Sequence, residues 1–135
     1  MDGWPQISDA VVDYYYNKKL AYGYIKRSQA PFTVAAGEIK NWHLPIFACN
    51  DTLSAVKGSL TVRDAESDEI ILECDFTAKE NTSVEIAKIP VYYSESRMFI
   101  FEWCINGEQG FNHYYLGYPP ISLEKYATLM RKYLI

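Results

Sequence analysis

At 135 residues, 49% hydrophobic and 22% charged, the chain has the size and make-up of one soluble globular domain with a core of its own. A net charge of −4, from 13 Lys and Arg against 17 Asp and Glu, offers no cationic excess to displace phosphate counterions, which excludes a nucleic-acid binder. No apolar run approaches the ~20 residues of a membrane span, so a membrane partner is excluded too.

The unusual feature is aromatic: 16% of residues, with 12 Tyr and 3 Trp. Tyrosine and tryptophan join an apolar body to a polar tip, which suits half-buried contacts such as interfaces, sugar-binding walls and sheet faces. Met1 leads straight into Asp2-Gly3-Trp4-Pro5 with no secretory leader. A piece excised from a longer chain would lack one as well, so the compartment stays open. Cys49, Cys74 and Cys104 are too few and too scattered for a disulfide framework or a CxxC metal site, and all three read as small core residues.

The first region covers residues 1–30. Asn17 is placed to cap a helix from Lys18 to about Ser28. Leu20, Ala21, Tyr24 and Ile25 form its apolar stripe, and Lys18, Lys19, Lys26 and Arg27 face away. Gly23 inside this pattern costs about 1 kcal/mol relative to Ala, which predicts another backbone close by.

From residue 31 the pattern changes to strands. "PFTVAA" comes first, then "WHLPIFACN", where Pro45 removes a ladder donor and predicts a position partly at an edge. In "AVKGSLTVRD", Val56, Leu60 and Val62 alternate with Lys57, Ser59, Thr61 and Arg63. "EIILECDFT" repeats the alternation, with Ile70, Leu72, Cys74 and Phe76 on one face. The acidic "DAESDE" between them is a turn. "TSVEIAKI" is a short strand. "RMFIFEWCI" is long and aromatic, Asn106-Gly107 supplies a tight hairpin, and "GFNHYYLG" returns. Phe99, Phe101 and Trp103 share a core-facing side; Tyr114 and Tyr115 point to opposite faces, so one of them is expected at the surface. Pro119-Pro120 stops the sheet. Ser122 caps a last helix in which Leu123, Tyr126, Ala127, Met130 and Leu134 recur at helical spacing and dock on the sheet, with Lys125, Arg131 and Lys132 outside. About seven short strands with no helix between them predict a mainly β, antiparallel sandwich flanked by a short N-terminal and a C-terminal helix.

Chemistry is sparse along this chain. Asp13, Glu38, Asp51 and Glu102 are isolated carboxylates, and alternation reads Glu102 as a charge on a solvent face. Glycoside hydrolysis needs two carboxyl groups about 5–9.5 Å apart, and nothing in the pattern points to such a pair. His43 and His113 lie on different strands, with no Cys or second His at metal-ligand spacing, so they read as structural and no metal or other cofactor is expected. No nucleophile elbow, zinc-protease motif or phosphate loop occurs. A Cys49–Cys104 bridge of the antibody type is rejected, since no Trp follows Cys49 on the next strand and position 102 is Glu rather than Tyr. The sequons Asn50-Asp51-Thr52 and Asn81-Thr82-Ser83 read as turns.

The segment "DGWPQISDAVVDYYYNKKLAYGYIKRSQAPF" resembles the end of the catalytic barrel in family 2 glycoside hydrolases, especially the β-mannosidase and exo-β-glucosaminidase type and, more loosely, the β-galactosidases. Asp2, Gly3, Trp4, Pro5, Ser8, Asp13, Tyr14, Tyr15 and Ala30-Pro31 carry the likeness in order. "CNDTLSAVKGSLTVRD", "NTSVEI" and "NHYYLGYPPISLEKY" are similar to that family's C-terminal immunoglobulin-like sandwich and closing helix. Met1 stands where the family has Asn, which implies a chain cut at that point.

The resemblance implies residues 1–30 as a remnant of the barrel end and linker helix, and 31–135 as the sandwich. It implies that the two catalytic glutamates lie upstream, so no residue here is catalytic, and that Trp4 lines the sugar pocket only in a full-length parent. The function expected is a non-catalytic C-terminal accessory domain of an exo-β-glycosidase, with the barrel and other domains of the parent chain as partners and self-association through residues 1–30 when they are missing. The alternatives are a carbohydrate-binding module using exposed aromatics and an independent protein-interaction domain.

Overall fold

The computed structural model describes residues 9–92, 94–117 and 121–133. The chain divides into two compact units, Met1–Pro31 and Phe32–Ile135.

In the first unit, the three tyrosines sit on a loop rather than a helix. Val12 bridges Lys18, Asp13 N–H donates to Asn17 O at 2.9 Å, and Tyr16 turns the chain with a left-handed φ of 67°. Asn17 does not cap the helix. Its backbone N–H and side-chain amide donate to the Asp13 carboxylate at 2.8 and 3.1 Å, because the loop brings that stronger acceptor within reach. Helix α1, Leu20–Ser28, therefore starts later than expected, after Lys19 and without a side-chain cap. Lys26 and Arg27 occupy its last turn, where cations complement the helix dipole. At Gly23, an added Cβ would meet the Arg27 guanidinium at 3.3 Å; among the described residues it would meet no foreign backbone, so close approach does not explain this glycine.

The second unit is an antiparallel β-sandwich. Strands β1 (Phe32–Ala36), β2 (His43–Asn50), β3 (Val56–Asp64), β4 (Ile70–Ala78), β5 (Thr82–Pro90), β6 (Arg97–Ile105) and β7 (Glu108–Leu116) precede helix α2 (Leu123–Met130). They form a three-stranded sheet ordered β1-β2-β5 and a four-stranded sheet ordered β4-β3-β6-β7. The order is immunoglobulin-like, with the fourth strand paired to β3 rather than to β5. The alternation read along β3 holds, with Leu60 and Val62 buried between Thr61 and Arg63. The inner faces of both sheets bury Val34, Leu44, Ile46, Leu60, Val62, Phe99 and Phe101 in one core. Trp103 joins its margin, edge-on to Phe32 at 6.1 Å.

β2 is the middle strand of its sheet, yet Pro45 still lies at an opening. β1 pairing runs from Phe32↔Asn50 to Ala36↔Ile46, and past it Gly37 N–H donates to Pro45 O at 2.9 Å. Proline cannot return that bond, so the ladder stops there. In β4 the alternation slips: Val62 pairs with Leu72 but Arg63 pairs with Ile70, which leaves Ile71 as the bulged residue. Ile71 packs against the core and Ile70 is exposed, the reverse of the expected faces. Asn106 and Gly107 have φ of 51° and 81°, the tight hairpin expected between β6 and β7.

The cysteines do not form a core set. All three are free thiols and half-buried; Cys74 packs against the core, whereas Cys49 alternates with the buried Ala48 and Asn50 and so faces outward.

The outer face of the four-stranded sheet holds a second core. Met98 and Ile100 pack there against Tyr126 and Met130 of α2, with Phe111, Tyr115, Leu129 and Tyr133 around them. Ser122 caps α2, its Oγ accepting from Lys125 N–H at 3.2 Å. The docked stripe is Tyr126-Leu129-Met130-Tyr133; Leu123 stays exposed because it lies a turn before the sheet contact. Tyr114 and Tyr115 are both half-buried, one in each core, so neither is the surface residue expected. Pro119-Pro120 and Leu134 lie outside the described residues.

Gly58 shows how tightly β3 and β6 are packed. A Cβ there would meet Cys104 O at 2.5 Å and the Phe76 ring at 2.9 Å. Gly58→Ala is expected to lower stability by about 2 kcal/mol, read as an earlier midpoint in urea unfolding, because one neighbour is backbone and cannot yield.

Candidate functional site

Trp4 and the Trp-Pro corner around it lie outside the described residues. Of the isolated carboxylates, Glu38 and Asp51 are exposed and Asp13 holds its loop, whereas Glu102 is built into the structure. Glu102 projects from β6 on the outer face, across from Thr61 of β3. Tyr133 Oη donates to Glu102 Oε1 at 2.7 Å, and Arg63 Nε donates to Oε2 at 3.3 Å. Lys132 Nζ lies 3.7 Å from Oε1. Arg63 also reaches Asp68, by a 3.5 Å ion pair and by a hydrogen bond to its carbonyl at 3.1 Å.

Burial alone would raise the Glu102 carboxyl, but the hydrogen bonds from Tyr133 and Arg63 and the charges of Lys132 and Arg63 outweigh it and hold it below its usual value. The Tyr133 phenol is pushed well above its ordinary range, by burial first and then by its bond to that carboxylate. The solvent-face reading of Glu102 is therefore corrected: it is an ionised acceptor clamped by donors from β3 and the α2 terminus.

A groove of about 470 Å³ runs beside this clamp, lined by Ser59, Thr61, Glu102, Trp103, Cys104, Gln109, Gly110, Phe111, Lys132 and Tyr133. General acid–base cleavage needs a carboxylic acid able to give a proton and a second carboxylate opposite it. The one carboxylate lining this groove is held by the Tyr133 hydroxyl and the Arg63 guanidinium, with Lys132 beside it, and so ties β6 to β3 and to the segment that follows α2.

The histidines are structural. His43 Nδ1–H donates to Asn41 O at 2.8 Å, and His113 Nε2 lies 3.3 Å from Tyr126 Oη beneath α2. Among the described residues, no group of three or more His, Cys, Asp or Glu is placed to hold a metal ion.

Two polar centres organise the connections, Asp64, which nothing in the sequence singles out, and Asn50, which the sequence shows only as a turn residue. Asp64 is buried; its Oδ1 accepts from Glu66 and Ser67 N–H at 2.9 Å each, and its Oδ2 accepts from Arg97 Nε at 2.9 Å. Asn50, with no exposed surface, bonds five groups around the β2–β3 and β4–β5 connections. The Asn-x-Thr turn signal pointed to the second of these; nothing local announced Arg97 as the partner of Asp64.

The described rings on the sheet faces are buried or half-buried. Exposed rings sit off the sheets: Tyr14, Tyr15, Tyr16 and Tyr24 in the first unit, Trp42 and Tyr92 in the second. In α1, Leu20, Tyr24 and Ile25 of the expected stripe are all exposed.

No protein-family model and no curated protein sequence matches the chain. Among solved structures, the β-D-mannosidase from Dictyoglomus thermophilum has a similar fold, with a TM-score of 0.64 and 24% identity over 85% of this chain. The match takes up 15% of that enzyme's chain, so the present chain spans only a small part of its length.

Proposed function

We propose that this chain is a non-catalytic accessory domain of a larger family 2 exo-β-glycosidase, where it fixes the geometry of a catalytic barrel. The observation that carries this reading is the fold likeness: a sandwich that covers most of this chain fits a small share of a β-D-mannosidase. The Trp-Pro corner, the Asn-Asp-Thr turn and the closing-helix motif support it. So does the state of Glu102, the carboxylate of the outer groove, which is committed to Tyr133 and Arg63.

The mechanical role follows from surface chemistry. Interfaces between domains of one chain bury about 600–1,500 Å² and are more polar than obligate ones. Exposed tyrosines supply apolar area with a hydroxyl at the rim, and the exposed stripe of α1 is the kind of surface that a barrel, or a second copy in its absence, would cover. In the parent, Trp4 would line the sugar pocket. A stand-alone carbohydrate-binding module would want a row of exposed rings along one sheet face, and the described sheet faces do not offer one.

The coding sequence preceding residue 1 tests the proposal. A barrel with two glutamates on separate strands is expected there; an unrelated domain would sink the reading. The 135-residue chain alone is expected to leave p-nitrophenyl β-D-mannoside intact. Turnover that vanished in Glu102→Gln would mean a catalytic site of its own.

A further inference from the structure

We propose that the outer face of the three-stranded sheet binds a second copy of this chain across a two-fold axis. Val34, Leu44, Ile46, Ala48 and Ile89 lie in the core, so alternation turns Ala35, Pro45, Phe47 and Cys49 outward. On β5, alternation alone would send Glu85 and Lys88 to opposite faces. A bulge prevents this. Ile46 pairs with Ala87 but Phe47 pairs with Glu85, which leaves Ile86 as the extra residue, packed like Ala87 against the core. Both charges therefore stand on the outer face, and both are exposed.

Two rows of residues cross this face. Ala35, Phe47 and Glu85 make the first, since Phe47 pairs with Ala35 on one side and Glu85 on the other. Gly37, Pro45 and Lys88 make the second, since Gly37 N–H donates to Pro45 O and Pro45 pairs with Lys88. At about 3.4 Å per residue the rows lie roughly 7 Å apart. A two-fold axis between them, running across the strands, sets each row of one copy on the other row of its mate. Phe47 of one copy then meets Pro45 of the other, and Glu85 of one meets Lys88 of the other. Every contact occurs twice, as an isologous interface requires.

The chemistry of the face fits that occupant. The Phe47 ring lies over Gly37, where an added Cβ would meet it at 2.6 Å and the Pro45 ring at 3.2 Å, so the apolar centre is firmly seated. Among the described residues neither Glu85 nor Lys88 forms an ion pair, which leaves both charges for a partner. An apolar centre with charges at the rim is the anatomy of a protein interface. One charge of each sign, at the ends of adjacent rows, suits a surface with the same arrangement better than one of a single sign. The other sheet carries α2 on its outer face. Three short strands offer only roughly 300–400 Å² per copy, so the pair is a weak one, with a dissociation constant on the order of 100 μM.

Sedimentation equilibrium between about 10 μM and 1 mM tests the pairing, and a monomer–dimer equilibrium is expected. Glu85→Lys alone and Lys88→Glu alone set like charges face to face, and each should weaken the dimer at least about tenfold. Mixing the two variants should restore it as a heterodimer, because every charge on one then faces its opposite on the other. Both exchanges made in one chain should restore the homodimer. These positions are exposed, so melting temperatures should stay within about 3 °C of the unmodified chain. Leu20→Ser, on the exposed stripe of α1, should leave the equilibrium as it was. The face is overturned by a chain that stays monomeric to about 1 mM, or by single exchanges without effect. A mixture that fails to associate, or a dimer lost in Leu20→Ser, overturns it equally.

Discussion

Asn50→Ala is expected to lower the melting temperature by about 10–15 °C. The side chain has no exposed surface, and its amide nitrogen shares its two N–H donors among Ser54 O at 2.9 Å, Ala78 O at 3.2 Å and Lys79 O at 3.0 Å. Its oxygen accepts from Thr52 N–H at 3.0 Å and Thr52 Oγ at 2.7 Å. One residue thus ties the β2–β3 connection to the end of β4.

Alanine would leave these groups without their partner, the Ala78 carbonyl in a buried position and the others in part-buried ones, at a cost of about 3 kcal/mol. Asn50→Asp should be at least as damaging, since it retains the acceptors for Thr52 but sets a carboxylate against three carbonyl oxygens. Thr52→Val should cost only about 1 kcal/mol, because it removes one donor and leaves the amide network standing. Thermal scans of the three variants check the order; a mild Asn50→Ala beside a severe Thr52→Val would refute it. Asn50 also fills an N-x-T acceptor pattern, and its burial makes it a poor glycan acceptor in the folded chain.

The strands were legible because each half-buried strand must repeat hydrophobicity every second residue, and a turn must interrupt it. Leu60-Thr61-Val62 and the Asn106-Gly107 hairpin satisfy both demands within a few residues. Where the reading failed, a non-local or stronger local partner had taken over. The β4 bulge moved Ile70 out and Ile71 in because pairing with β3 shifts at Val62/Arg63, which no window inside β4 can reveal. Asn17 looked like a helix cap, but Asp13 lies across its own loop and outcompetes the helix amides. Glu102 looked solvated on a strand considered alone; Tyr133 comes from 31 positions away. Trp42 left its trace only as the residue opening a strand. Its left-handed backbone, with a φ of 63°, is one that sequence assigns to glycine, asparagine or aspartate before tryptophan.

The clamp on α2 yields the second large effect. Glu102→Ala is expected to speed hydrogen exchange of the α2 amides by about thirtyfold while the β3 and β6 amides slow-exchange much as before, the signature of a helix released from a sheet that stays folded. The substitution removes the acceptor of Tyr133 and leaves Arg63 with a weaker set of partners, a loss of about 2 kcal/mol. Tyr133→Phe removes the 2.7 Å bond alone and should release α2 to a lesser degree. Acid should imitate these variants. Glu102 and Asp64 both titrate below their usual carboxyl values in the folded chain, burial opposing and the hydrogen bonds to each carboxylate prevailing. A depressed folded-state value means that the stabilisation is complete above the unfolded value, near pH 4 for these groups, and drains away as the pH falls through the folded one. The melting temperature is therefore expected to be level from about pH 5.5 to 8 and to fall steeply below about pH 4, with α2 exchange rising first. Glu102→Gln should flatten part of that acid slope, since it keeps an acceptor for Tyr133 but has no proton to gain. An unchanged slope in this variant would place the acid sensitivity elsewhere, with Asp64 and its bond to Arg97 as the next carboxylate to replace.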